Sequence, residues 1–425
     1  MRAVICDAAD AHDALADALR ASLDAALRAR GGSVERVDLS TLEVPPCRGD
    51  FGCWTVTPGR CVQPGPHRAF PGLIARTELL VYLTRVTFGG FSSRLKAIVD
   101  HCIPVALPLM IPVHGETHHP LRSPHRTELL VIGLAACADD DAARAFERLA
   151  ERNALNLSSP RYAVGVVTPR DLPDVRAWVE RRLEHLAASA PRSGRAPLDL
   201  GARPLAGIAP RRAVLLVGSP RGGASVSVAL ARCLGDALTA RGVEVSTVDL
   251  HRALQTDPEL RRPLAALREA DVAALLSPLY VDSLPAPVMR ALEVLAPAIG
   301  AAGRRTRLLA VLNCGFPEAS QNDTALAIVR CFAAEAGLEW IGGVGIGGGG
   351  VVLSRGGIGP LLARALDQIA DAVSRGEAVP PEAQELARRP RIPTWLYRHV
   401  GNWVFRREAR RRGVRLEAAD ASAGA

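Results

Sequence analysis

The sequence predicts an α/β protein built from two doubly wound, five-stranded parallel sheets in tandem, and three observations predict it. Short apolar runs alternate with amphipathic helical stretches through both halves of the 425 residues, the pattern of parallel sheets covered on both faces. Residues 4–39 recur as residues 215–250 at an offset of 211. Ala29–Leu39 aligns with Ala240–Leu250 without a gap, and Leu19, Leu23 and Leu27 fall on Leu230, Leu234 and Leu238. Between the halves, residues 189–210 form a stretch of Pro, Gly and Arg that reads as a linker.

The elements follow in order. In the first half (1–188), strand 3–6 leads into a helix over about 11–30 that Gly31-Gly32 stops. Strand 34–39 precedes a long loop of Cys, Gly and Pro, residues 45–71. Strand 79–84, a helix near 92–102, strand 129–134, a helix near 141–152 and strand 162–167 complete it. In the second half (211–390), strand 213–217, helix 225–241 and strand 243–250 come first. Strand 272–276, helix 285–295, strand 307–313, helix 324–336 and strand 340–346 follow. Residues 391–425 are an aromatic and basic tail with Trp395, Tyr397, Trp403 and Phe405.

Composition narrows the class. The chain is 48% hydrophobic and 23% charged, a globular balance, and its length suits two cores. The net charge of +8 is almost wholly arginine, since Lys96 is the only lysine. Those arginines are spread over both halves with no basic stripe interleaved with aromatics, which argues against a nucleic-acid partner. Nine scattered cysteines, no secretory leader and no apolar run of membrane length predict a cytoplasmic protein with reduced thiols and no stable membrane insertion.

The turn after the first strand of the second half carries the chemistry. In Gly218-Ser-Pro-Arg-Gly-Gly-Ala-Ser-Val-Ser227, glycines allow a sharp turn and close backbone approach, and Pro220 stiffens it. Ser219, Ser225 and Ser227 offer hydroxyls, Arg221 a charged fork, and the following helix its positive end. Neither a triphosphatase Gly-Lys-Ser/Thr nor a three-glycine dinucleotide fingerprint is present, so the set suits a phosphate monoester. A plain tight loop with a helix cap would use similar residues. Two further loops, Ser277–Pro285 and Asn313–Glu318, follow adjacent strands and should open on the same sheet edge, where such sheets bind ligands. Ser283 is expected to cap the helix there, with Pro285 at its start.

Together with Trp340-Ile-Gly-Gly-Val-Gly-Ile-Gly-Gly-Gly, these loops resemble the NADPH-dependent FMN reductase group of flavodoxin-like proteins over residues 212–370. The resemblance implies FMN, with phosphate on Ser219, Arg221, Ser225 and Ser227. It implies that Pro278, Leu279, Tyr280, Val281 and Asp282, with Asn313, Gly315 and Phe316, hold the ring. NADPH or NADH would be the co-substrate. An asparagine frequent in the phosphate loop of that group is Ala224 here, which would weaken binding.

The first half is similar to single-domain flavodoxin-like oxidoreductases at Cys47–Cys61, Thr87–Asp100, Gly115–His119 and Arg152–Asn156. Relatives with an iron-sulfur cluster have closely spaced cysteines in the first of these. The spacing here is Cys47-x5-Cys53-x7-Cys61, three thiols against the usual four. His101, His114, His118, His119 and His125, with Glu116, lie on a proline-punctuated segment that denies the helical spacing of zinc enzymes. No metal is expected, and both segments read as packing or interface loops. At the offset of 211, Asp7, Ala8, Asp10, Ala14 and Ala16 replace Gly218, Ser219, Arg221, Ser225 and Ser227, and Asp13 adds a third carboxylate. One carboxylate about 5 Å from a phosphate charge costs about 3 kcal/mol at an effective dielectric near 20. Arg85 stands in the ring loop where the second half has Pro278. The first half is therefore expected to bind no FMN.

The function expected is an FMN-dependent NAD(P)H oxidoreductase with one FMN per chain, reducing a small acceptor such as a quinone, nitro- or azo-compound. Hydride chemistry belongs to the flavin, so no side chain is singled out as catalytic. By resemblance to dimeric relatives, the halves would pair as an internal pseudo-dimer, with further homo-oligomers open. The alternatives are a flavin-bearing electron-transfer or binding module without NAD(P)H turnover, and a scaffold without flavin. The tail is expected to dock on a domain rather than lie on an anionic membrane, because its aromatics do not repeat at helical spacing.

Overall fold

The computed structural model describes residues 1–188, 198–202, 207–300, 306–353 and 357–416. The 189–210 linker lies largely outside them. The chain divides into two compact units, Met1–Ala196 with Arg398–Ala425, and Pro197–Tyr397.

In the first unit the strands are β1 (Arg2–Asp7), β2 (Ser33–Asp38), β3 (Leu79–Thr87), β4 (Glu128–Leu134) and β5 (Tyr162–Val167). They run parallel in the order β2-β1-β3-β4-β5, and Gly90–Phe91 folds back antiparallel on the end of β3. In the second unit, β6 (Arg212–Val217), β7 (Glu244–Asp249), β8 (Val272–Pro278), β9 (Arg307–Asn313) and β10 (Glu339–Ile346) take the order β7-β6-β8-β9-β10. Both are the flavodoxin-like winding, which puts the loops after the central strands at a topological switch point.

Each core follows from the apolar spacing. Helix Ala14–Ala29 lays Leu15, Leu19, Leu23 and Leu27 against the first sheet, none more than 5% exposed. Helix Val226–Thr239 does the same with Leu230, Leu234 and Leu238 in the second unit. Each buried leucine contributes about 1.5–3 kcal/mol. Within helix Ser93–Asp100, Lys96 and Asp100 form an ion pair whose side chains are 0% and 1% exposed.

Register corrects the repeat. Ala8 N–H donates to Leu83 O and Gly218 N–H to Leu276 O, both at 2.8 Å, so Ala8, not Asp7, is the counterpart of Gly218. The first strands match at an offset of 210 (Arg2 beside Ser33, Arg212 beside Glu244), whereas β2 and β7 keep 211. The turn is two residues longer in the second unit, running from 218 to its cap at 225 against 8 to its cap at 13, and one residue of that is given back between the helix start and the next strand.

The tail divides between the units. In the second, Tyr397 Oη donates to Gly315 O at 2.6 Å. In the first, the Phe405 ring stands edge-on to Trp54 with centroids 5.6 Å apart, Asn402 pairs with the Met110 backbone, and Leu416 and Ala409 pack on Leu109. Trp395 and Trp403 stay exposed. No helix among the described residues is long and apolar enough to cross a membrane, and all nine cysteines are free thiols.

Candidate active site

The loops after β6, β8 and β9 meet at one edge of the second sheet because their strands are neighbours. Gly218 opens the first. A Cβ there would stand 2.6 Å from Val288 Cγ2 and 3.1 Å from Ser277 Oγ, so the position excludes a side chain. Gly218→Ala is expected to destabilise the second unit by about 1–3 kcal/mol through overpacking, read as a lower denaturant midpoint. Gly222 has φ +65°, and a Cβ on Gly222 or Gly223 would meet nothing within 4 Å. The turn thus presents backbone to open space, as the approach of a ligand requires.

The four donors predicted for phosphate have distinct roles. Ser219 is buried, and its Oγ accepts from Arg221 N–H at 3.3 Å. Ser225 is the cap of helix Val226–Thr239, its Oγ accepting from Val228 N–H at 3.3 Å. Accepting leaves both hydroxyl protons for an anion. The Arg221 side chain is exposed at the mouth of the turn. Ser227 differs. Its Oγ donates its single proton to Asn313 Oδ1 at 2.9 Å, tying the phosphate turn to the third loop.

Asn313 ends β9, and its carbonyl accepts from Leu279 N–H at 2.8 Å, so it also holds the second loop. That loop closes tightly: Tyr280 and Ser283 exchange backbone bonds of 2.8 and 3.1 Å around Val281 (φ +43°) and Asp282 (φ +58°). Two consecutive left-handed residues make a type I′ turn. Such a conformation at a β-branched valine stores strain of the kind found at ligand sites. Pro278, Leu279, Tyr280 and Val281 are half-buried and Asp282 is buried. The expected capping role of Ser283 is not what forms. Its side chain is buried with no hydrogen-bond partner, because its backbone is committed to Tyr280, and the helix begins at Ala286, one residue after Pro285.

In the third loop a Cβ on Gly315 would meet nothing within 4 Å, while Phe316 O accepts from Gly348 N–H at 2.6 Å and Cys314 O from Gly349 N–H at 2.8 Å. These bonds brace the loop on the glycines after β10. Sequence reasoning missed two supports, Tyr397 on Gly315 O and Arg391 Nη1 donating to Gly347 O at 3.0 Å. Both lie in the segment read as a separate tail. Burial pushes the Tyr397 hydroxyl and the Cys314 thiol up to about 12, so both are protonated at neutral pH.

The equivalent turn of the first unit is filled by its own charges. Asp7, the last residue of β1 and 3% exposed, takes a two-pronged bond from Arg20 at 2.6 and 3.1 Å. Asp10 pairs with Arg85 at 2.5 Å and Arg94 at 3.3 Å. Asp13 caps helix Ala14–Ala29 by accepting from Leu15 and Ala16 N–H. The sequence reading took these carboxylates as bare repulsive charges. They are instead neutralised by arginines, so the turn carries internal anions where the second unit leaves room for an external one.

The histidine-rich segment does not gather. His118 faces Asn156 and Glu116, His119 Nδ1–H donates to Leu109 O, and His125 Nε2–H donates to Thr77 O. Glu116 also binds Arg152. Its bond to His118 and that arginine hold the Glu116 carboxyl down near 2.

Among known proteins, residues 211–327 match the model of the NADPH-dependent FMN reductase family. No curated protein matches the chain. Among solved structures, an NAD(P)H:quinone oxidoreductase from Methanothermobacter marburgensis is similar at 13% identity and TM-score 0.33, covering 43% of this chain and 93% of that one. An FMN-dependent NADH-azoreductase from Bacillus anthracis, in complex with FMN, is similar at 10% identity and TM-score 0.30, covering 38% and 99%. A flavodoxin from the domain Archaea is similar at 16% identity and TM-score 0.24, covering 30% and 77%.

Proposed function

We infer that this chain, whose second unit belongs to the NADPH-dependent FMN reductase family, passes hydride through a single FMN to a small acceptor such as a quinone, nitro- or azo-compound. The second unit is an NAD(P)H-dependent FMN oxidoreductase domain, with FMN its cofactor and NAD(P)H its co-substrate. The observation that carries the one-flavin reading is the contrast between the two turns. One exposes glycine backbone beside Ser219, Arg221 and Ser225, and the other spends its arginines on Asp7 and Asp10.

In this reading the Ser219 and Ser225 hydroxyls, the Arg221 guanidinium and the backbone N–H groups opening helix Val226–Thr239 hold the phosphate. Ser227 positions Asn313 rather than touching phosphate. Pro278–Asp282 and Asn313–Phe316 frame the ring, the strained turn at Val281-Asp282 holding the second loop rigid. Bound FMN supplies the hydride-accepting chemistry. The protein's part is to orient the ring and exclude water from one side of it, and no side chain is assigned as acid or base. Pairing of the two halves within one chain and a cytoplasmic setting belong to the same proposal. A 45.0 kDa species in light scattering is expected if the flavin site is completed within one chain.

The test is flavin content followed by anaerobic NADPH. About one FMN per chain, bleached rapidly, is expected. Two flavins would overturn the reading of the first turn. A flavin that stays oxidised would make the protein an electron-transfer or binding module instead.

A further inference from the structure

The first unit holds a cluster that the flavin chemistry does not use. Cys61, His67 and His101, all buried, bring one sulfur and two imidazoles together with their ligand atoms within 4.8 Å of one another. Cys61 Sγ lies 3.4 Å from His101 Nδ1. Tetrahedral zinc with bonds of about 2.3 Å to sulfur and about 2.05 Å to nitrogen sets that separation at about 3.5 Å.

Two further observations point to a ligand. His67 is 0% exposed, yet neither ring nitrogen has a hydrogen-bond partner. A buried imidazole left so is costly and uncommon unless something else meets its lone pair. The rings of His67 and His101 stand with centroids 4.1 Å apart. On the far side, His101 Nε2–H donates to Pro45 O at 2.7 Å. That bond leaves Nδ1 bare and aimed at Cys61, the backbone-carbonyl support typical of metal-ligating histidines.

We propose that Cys61 Sγ, His67 and His101 Nδ1 bind a zinc ion whose fourth position opens on the cleft lined by Cys47, Asp50, Cys53 and Asp100. One thiolate with two imidazoles suits zinc, whereas an iron-sulfur cluster takes four thiolates as a rule. Binding replaces the thiol proton, which leaves to solvent, with the metal bond. The ion would staple the 45–68 loop to the end of helix Ser93–Asp100. This departs from the expectation of no metal, which rests on the spacing of Cys47, Cys53 and Cys61 and on the histidines of 101–125, without His67.

The full chain, stripped with chelator, is titrated with zinc against a chromophoric competitor and, separately, with cobalt(II). About one zinc per chain with Kd below roughly 1 μM is expected. The cobalt form should show a thiolate charge-transfer band and tetrahedral visible bands. Cys61→Ser should abolish the charge-transfer band, and His67→Gln should weaken zinc by about tenfold or more. Cys137→Ser, at an exposed thiol, should change neither. Wild-type protein without the cobalt–thiolate band overturns the proposal whether or not the variants fold. So does undiminished zinc in a folded Cys61→Ser/His67→Gln double variant.

Discussion

Arg221→Glu is expected to strip the protein of FMN. The substitution removes a charge-assisted bond to phosphate, about 1.5–3 kcal/mol. It also places a carboxylate against the same group, a repulsion of up to about 3 kcal/mol at 5 Å. Because Arg221 is exposed at the turn, solvent and salt screen part of this. A net loss of about 3 kcal/mol is expected, or roughly 150-fold weaker binding. Flavin fluorescence titration of the stripped protein measures it. Arg221→Lys keeps the charge and loses only the fork, so it should cost far less. Unchanged affinity in Arg221→Glu would mean that the phosphate is held elsewhere.

Asp100→Ala should be the most destabilising single change in the first unit. It leaves the Lys96 ammonium, 0% exposed, without the carboxylate one helical turn away. Breaking a buried pair from one side costs about 3–5 kcal/mol, because the remaining charge stays desolvated. Replacing both partners, Lys96→Met with Asp100→Leu, should recover most of the loss, since an apolar pair of similar volume needs no desolvation. Denaturant melts of the three proteins decide it. A double variant no more stable than Asp100→Ala would show that the pair contributes more than mutual neutralisation.

Much of this was legible in the chain. Ten parallel strands and the leucine faces at 19, 23, 27 and 230, 234, 238 follow from local periodicity, which a sheet covered on both faces enforces. Gly218, Gly222 and Gly223 stood out because a sharp turn that leaves its backbone open tolerates few residue types. Serine spacing shows a donor at Ser227 but not where its proton goes. Its partner Asn313 is 86 residues away in sequence. The Asp7 alignment slipped by one because the repeat is set by strand pairing, and the turn between strand and helix differs in length between the units.

The sequence by itself determined the architecture and the duplication, since these rest on periodicity and on leucines repeated at one spacing. Only the tertiary structure decided how charges and donors are partnered. The three aspartates of the first turn became satisfied by Arg20, Arg85, Arg94 and helix N–H groups rather than standing bare. His118, His119 and His125 went to separate partners, while His101 joined Cys61 and His67, the last from outside that segment. Hydrogen bonds and ion pairs act over a few ångströms between groups that chain topology brings together, and sequence spacing does not encode those distances.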